Sequence, residues 1–542
     1  MKEESIVRLF RAHPNRSYSF GDLLHILKID KSAHRQFQKL LRKLVSDGAI
    51  STYRHKYCLP REGDKLEGVV SKHRKGFAFV SSGVPGEEDV FLNQREARAL
   101  MDGDRVLIIT REGRRGKREG SVFRILERGK KRIVGTFGRF EKHYFVIPYG
   151  VPEYEASSSK MYISPNNIGA AKEGEVVVAD IVRYPDGKHN VEGKVVRILG
   201  VDGDPKIDTD IIISKYDLPA IFPKNVREEA SRISTKIDDS ELNGRKDLRS
   251  LPFVTIDGES AKDFDDAVCV VKEKNGYRLW VSIADVSYYV KDGSVLDKEA
   301  LSRGNSIYFP DRVIPMLPEV LSNEICSLKS SVDRLTFTVE MAFDKNGRRL
   351  TSEIYESAIK SWHRLTYTEV WKMMGGDEEV ISRYKKYYPN LGPAIELFRL
   401  LKSSKAARGS LDFDLPESQI ILDATGKIEQ IVKSPRNDAH MLIEEFMIAA
   451  NEAVAEFIEG SKTPGIFRVH EPPDDETINI FRGLLHNLGF QLHLGRGKVR
   501  PIELASIIKK AEGKPEARLI NTVLLRSLKQ AQYSRENVGH FG

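Results

Sequence analysis

The segment Thr255–Val268, TIDGESAKDFDDAV, places four aspartates, Asp257, Asp263, Asp265 and Asp266, between two runs of β-branched and apolar residues. Phe253–Ile256 precedes the acids and Ala267–Val271 follows them, a pattern of two core strands joined through a turn at Gly258. Burying those strands draws the carboxylates together. Carboxylates held this close shift one another's pKa unless a cation neutralises them. A loop tied at both ends to core strands is positioned, and Phe264 adds an apolar anchor inside it. The plainer reading is a solvated acidic loop. The strand flanks and Phe264 favour a site for a hard divalent cation such as Mg2+, which takes oxygen ligands and completes its shell with phosphate oxygens. The expected chemistry is phosphoryl transfer or phosphodiester cleavage.

The chain has 542 residues, enough for three or four domains. Its net charge of +8 suits a polyanionic partner, and that total already includes the acids of the cluster. Three widely spaced cysteines, Cys58, Cys269 and Cys326, form neither a disulfide framework nor a zinc site. The start, MKEESIVRLF, lacks the apolar core of a signal peptide, and no run of about 18 apolar residues exists. A reducing, cytoplasmic setting and no membrane contact are expected.

Residues 1–62 read as a winged helix. Phe37, Leu40, Leu41 and Leu44 recur at helical spacing, Asp47–Gly48 stops the helix, and Ile50–Leu59 forms the wing. Lys39, Arg42 and Lys43 lie on the exposed side, suited to a nucleic-acid backbone or to a docked protein. An internal repeat of roughly 70 residues follows. One copy opens with EGVVSKHRKGFAFV and the other with VGTFGRFEKHYFVI; each later carries a GxVxRIL-like strand. Short alternating strands punctuated by glycine predict two small barrels, 63–130 and 131–202. GFAFV and EDVFL are similar to cold-shock domains. Phe77 and Phe79 share a strand face beside Lys72, His73, Arg74 and Lys75, as a base-stacking surface requires, although two core phenylalanines would read the same way. Arg111–Gly120 reads as a flexible basic loop.

Residues 203–542 read as one large α+β domain, strand-rich first and helical later. In MLIEEFMIAANEAVAEFI, Leu442, Phe446, Ala450 and Val454 recur every four residues, and one of Glu444 and Glu445 has to face inward. His470 reads as a hydrogen-bonded core histidine.

The aspartate segment resembles the signature of the ribonuclease II / ribonuclease R family. RLWVSIADVSYYV, SIYFPDRVIPMLPEVLSNEICSL, NDAHMLIEEFMIAANE and LLRSLKQAQYS look like that family in the same order. The amino-terminal organisation makes the ribonuclease R type the nearer branch. Ser260 departs from the family, where an acid is common. The resemblance implies a winged helix, two cold-shock-like OB-fold barrels and an RNB catalytic domain that is incomplete at the carboxyl end. It implies a Mg2+-dependent, processive enzyme that hydrolyses single-stranded and structured RNA from the 3′ end to nucleoside 5′-monophosphates.

By resemblance, Asp257 and Asp266 are metal ligands, Asp263 serves a second metal or a water, and loss of Asp265 harms chemistry more than binding. Arg526 clamps the scissile phosphate. Tyr308 and Phe413 sandwich terminal bases, Tyr367 lines the RNA path, and Glu444 is the inward, substrate-side glutamate. RNA 3′ ends are the expected partner, ribosomes or RNA-decay factors are further candidates, and a monomer is expected. Two other classes share these features: a non-catalytic RNA-binding regulator that kept the fold, and a metal-dependent DNA nuclease.

Overall fold

The computed structural model describes residues 3–13, 16–46, 49–53, 56–58, 65–84, 87–112, 118–152, 159–413, 417–434, 436–494 and 499–541. Asp47–Gly48, Leu59 at the end of the wing, residues 113–117 of the basic tract and Gly542 lie outside the described residues. The chain forms two compact units, Met1–Leu218 and Pro219–Gly542. Among the described residues no helix is long and apolar enough to cross a membrane.

In the first unit, helices Glu3–Ala12, Phe20–Ile26 and His34–Ser46 pack with a three-stranded antiparallel sheet of Tyr18–Ser19, Ser51–Tyr53 and Lys56–Cys58. Phe37, Leu41 and Leu44 close on Ile6, Phe10 and Leu23, which leaves Lys39 and Arg42 exposed on the opposite stripe.

The repeat folds into two closed five-stranded barrels. Their strands run from Lys65 to Glu127 and from Arg132 to Val201, and both barrels order them first, second, third, fifth, fourth. The copies also share a steric requirement in the first strand. A Cβ on Gly68 would overlap the carbonyl oxygen of Ser81, and one on Gly135 would overlap that of Ile147. Only glycine lets the first strand pass this close to the second. In the second barrel, the Phe145 ring packs against Gly138, where a Cβ would sit 2.6 Å from it. The Lys160 ammonium covers the ring at 3.9 Å from its centroid. Helix Asp208–Lys215 then seals this barrel, with Ile207 and Ile211 packed on Val134, Val176 and Val178.

The second unit is built on a seven-stranded mixed sheet. Its strands are β1 (Lys246–Asp247), β2 (Val254–Asp257), β3 (Asp266–Glu273), β4 (Gly276–Ala284), β5 (Asp333–Asp344), β6 (Arg349–Lys360) and β7 (His363–Thr366), in spatial order β1-β6-β5-β4-β3-β2-β7. β7 runs parallel to β2, and β2 is antiparallel to β3. Both faces are covered. Val254, Ile256, Val268 and Val270 meet α2 (Tyr388–Arg408) and α3 (Asp438–Ser461) through Leu391, Phe398, Leu442 and Phe446. Phe253, Ala267, Cys269 and Trp280 pack on the other side with Leu321, Ile325 and Leu328. Two-sided burial explains why AVCVV reads as one apolar run. Cys58, Cys269 and Cys326 are free thiols.

Residue order on α3 corrects one expectation. Glu445, not Glu444, is the inward glutamate: it is 7% exposed, one position before Phe446 and three after Leu442. Its carboxylate is tolerated there because the Lys405 ammonium of α2 reaches it at 3.0 Å. Glu444 points to the rim, between Lys405 at 3.3 Å and Arg436 at 2.9 Å. Phe457, one turn beyond Ala453, is largely exposed.

Gly135→Ala should lower the thermal midpoint of the chain by several degrees, the result of roughly 1–3 kcal/mol of overpacking. Gly169→Ala has open space around it and meets only a backbone penalty. Differential scanning calorimetry of both variants distinguishes the two cases, and equal midpoints would contradict the close strand crossing.

Candidate metal and phosphate site

The four aspartates occupy one end of the sheet. Asp257 ends β2, Asp266 opens β3, and the loop 258–265 between them carries Asp263 and Asp265. Antiparallel pairing of Val254 with Val268 brings the two strand ends together. The loop is fastened along its length. The Arg364 Nη2 donates to the carbonyls of Gly258 (2.6 Å) and Glu259 (2.9 Å). The Ser327 hydroxyl donates to the Lys262 carbonyl (2.8 Å) and accepts from the Phe264 N–H (3.1 Å). Leu328 N–H donates to the Phe264 carbonyl and Ala284 N–H to that of Asp265, each at 2.9 Å. Phe264 itself is buried in the core beneath the loop. A solvated acidic loop has none of this support.

Crowding appears in the titration of the acids. Burial, then the charge of Asp266, pushes Asp257 up to about 7, against a smaller opposing pull from Arg364. Burial, then Asp265, pushes Asp266 up to about 6. Asp265 is the most open of the four, yet the protein around it, and then Asp263, still raises it. Burial followed by the charges of Asp257 and Asp266 lifts the Tyr367 phenol to about 12. Asp257 Oδ2 is a buried acceptor with no donor among the described residues.

An orphaned carboxylate oxygen beside two acids forced towards neutrality is a site short of positive charge. Among the described residues no three side chains close into a finished metal cage. Carboxylate oxygens are nonetheless the donors Mg2+ takes, one or two from the protein with water and phosphate oxygens completing the shell. The donor set therefore fits Mg2+, with Asp257 and Asp266 as the residues to hold it and Asp263 and Asp265 beside them.

The other expected site residues divide into two groups. Tyr308 stands beside the acids: it is 67% exposed and its hydroxyl donates to Asp263 Oδ2 at 3.3 Å. Tyr367 opens helix α1 (Tyr367–Met374), stacked on His440 at 4.0 Å between centroids. Arg526, in the last turn of α4 (Ala517–Ser527), is exposed and makes no ion pair among the described residues. Phe413 is half-buried against the cluster that includes Leu524 and Phe481, and no ring contact joins it to Tyr308 among the described residues. His470 is buried, with Nε2 on the Lys529 carbonyl at 2.7 Å. In the first barrel, Ala78 and Val80 fill the core while Phe77 and Phe79 turn outward, half-exposed. They join Phe91 at 5.4 and 5.9 Å, and His73 stacks on Phe77 at 4.2 Å. Lys75 is exposed at their edge.

Arg364, Ser327, His440 and Phe91 escaped sequence reasoning. Phe91 had a readable signal, the apolar alternation of EDVFL. Arg364 had only its place immediately before LTYTEV, and nothing local ties it to Thr255, its partner across the parallel β2–β7 pair.

Comparison with known proteins agrees with this architecture. The RNB domain family matches residues 245–542, a Ribonuclease B OB domain matches 68–125, and a cold shock domain matches 149–223. Ribonuclease R of Vibrio cholerae is 41% identical over 540 residues, 98% of this chain and 65% of the relative. Ribonuclease R of Escherichia coli is 39% identical over 512 residues, 93% of this chain and 62% of the relative. The chain thus spans just under two thirds of the length of these relatives. The structure of Mycoplasma genitalium ribonuclease R in complex with ribose-methylated single-stranded RNA superposes with a TM-score of 0.78 at 27% identity, covering 88% of this chain and 74% of that one. The chain belongs to the RNB-domain family of ribonuclease R.

Proposed function

We propose that this chain is a Mg2+-dependent exoribonuclease that hydrolyses RNA from the 3′ end and releases nucleoside 5′-monophosphates. The observation that carries the reading is the set of four pinned aspartates with Asp257 Oδ2 lacking a donor. A protein that only binds RNA gains nothing from crowded acids facing a polyanion.

In the reaction a water adds to the terminal phosphorus, the P–O3′ bond breaks, and the shortened RNA keeps the 3′ oxygen. Bound at Asp257 and Asp266, Mg2+ supplies Lewis acidity and offsets charge on the phosphoryl oxygens. Asp265, the most open carboxylate, accepts a hydrogen bond from the incoming water and orients it. Asp263 is held by Tyr308, whose exposed ring stacks on the terminal base without reading its identity. Arg526, which makes no ion pair among the described residues, is the proposed clamp for the scissile phosphate. In the first unit the outward Phe77, Phe79 and Phe91 stack on unpaired bases while Lys75 follows the phosphates.

Three measurements check this reading. With RNA labelled at the 5′ or 3′ end, cleavage should proceed from the 3′ end, stop on full chelation, and fall roughly 100-fold or more in Asp265→Asn, with RNA affinity within a few-fold of wild type. Internal cuts, or activity that survives chelation, would sink it.

The acids also predict a pH signature. Asp257 and Asp266 bind protons more tightly folded than unfolded, so their contribution to stability is present below about pH 4 and is lost as pH rises through about 6 to 7. The thermal midpoint of metal-free protein should fall from about pH 5 to about pH 8. Mg2+ should raise that midpoint more at the upper end, and Asp257→Asn should shrink both effects.

For the first barrel, replacing Phe77 and Phe79 together by alanine should weaken single-stranded RNA binding by roughly 10-fold, since stacking contributes about 1–3 kcal/mol per base. The slope of log affinity against log salt should not change. Lys75→Ala should instead reduce that slope by about 0.7 with a smaller loss of affinity. Filter binding across a salt series separates the two roles.

A further inference from the structure

Arg364 and Ser327 hold the two ends of the loop that separates the acids. On the Asp257 side, the Arg364 Nη2 bridges two successive carbonyls, those of Gly258 and Glu259. Its guanidinium also lies over the Phe264 ring, 5.5 Å from the centroid. On the Asp263 side, the fully buried Ser327 hydroxyl bridges the residues that flank Asp263, donating to Lys262 and accepting from Phe264. Ser327 is itself fixed: Arg334, buried, donates from Nε to the Ser327 carbonyl at 2.8 Å and from Nη2 to the Glu324 carbonyl at 2.7 Å.

Arg364 does not neutralise Asp257 by contact. No ion pair joins them among the described residues, and Arg364 Nε and Asp257 Oδ2 are both buried without a partner. The arginine is spent on backbone, where it sets the path of the loop. Carboxylates that repel one another drift apart unless the backbone beneath them is held, and metal affinity depends on their spacing.

We propose that Arg364 and Ser327 are positioning residues that fix the separation of Asp257 from Asp263, and with it the affinity of the site for a divalent cation. The proposal rests on the nuclease reading above only for its effect on turnover; its effect on metal affinity is independent. Neither side chain need touch RNA.

The test uses the whole 542-residue chain and Mn2+ as a spectroscopic probe. Free Mn2+ is followed by electron paramagnetic resonance in the absence of RNA, for wild type, Ser327→Ala and Arg364→Lys. Lysine keeps the charge but replaces the planar fork with a single point donor. Both variants should bind Mn2+ about 10-fold more weakly, within the range for removing a residue that orients metal ligands. On a short RNA, kcat should fall about 10- to 100-fold with KM within threefold, and excess metal should recover part of the loss. Ser327→Thr, which restores a hydroxyl, should recover much of the Mn2+ affinity if it folds. Should Ser327→Ala fail to fold, Arg364→Lys, at the half-buried edge strand, decides the matter. Mn2+ affinity within twofold of wild type in a folded Arg364→Lys overturns the proposal. So does a loss of turnover that excess metal does not relieve. If wild type binds Mn2+ yet cleaves no RNA, the nuclease reading falls and the positioning role is still judged on affinity.

Discussion

Mutual repulsion among four carboxylates governs the second unit. Asp257, Asp263, Asp265 and Asp266 lie within ten residues, and two of them close core strands. Left to itself such a cluster would splay into solvent. Here the strands that carry it are buried on both faces of the sheet, the loop carbonyls are claimed by Arg364, Leu328, Ala284 and Ser327, and Phe264 is sunk in the core. The protein spends packing and hydrogen bonds to keep like charges near one another, and burial first, then the neighbouring aspartates, raises the titration of Asp257 and Asp266. On the proposed reading, a cation held between them would resolve that conflict, and the fold and the chemistry would share one electrostatic cause.

Around that centre the structure separates tasks by rigidity. Residues that hold other residues are buried: Ser327 and Arg334 below the loop, and the Glu445–Lys405 pair between α2 and α3. Residues proposed to meet RNA are open: Tyr308, Arg526, and the Phe77–Phe79 face of the first barrel. Tyr308 belongs to both groups, since its hydroxyl supports Asp263 while its ring faces solvent.

What could be read from the sequence was local. The acid cluster, the strands beside it and the barrel repeat are each written within a few dozen residues, as alternation, glycine spacing and charge. What escaped depends on distant pairing. Arg364 reaches the acids only because β7 lies parallel to β2, a connection of about a hundred residues that no periodicity reports. Ser327 is one serine among many until the chain folds it under Phe264. The choice between Glu444 and Glu445 turned on a single step of helical rotation, and Lys405 of α2 reaches both carboxylates. Phe413 went to a hydrophobic cluster, the commoner fate of an aromatic side chain.

The two barrels came from the same plan, strand for strand, but they are not two of the same tool. In the first, Phe77, Phe79 and Phe91 turn outward, half-exposed, with His73 stacked on Phe77. In the second, the corresponding hairpin lays Phe145 on Gly138 and closes Lys160 over it as a cation on a ring. That ring has already found its partner within the chain. The open rings of the second barrel lie elsewhere, at Phe140 and Tyr162. The two copies thus differ in which rings they leave open, a difference visible only once the lysine is seen in place.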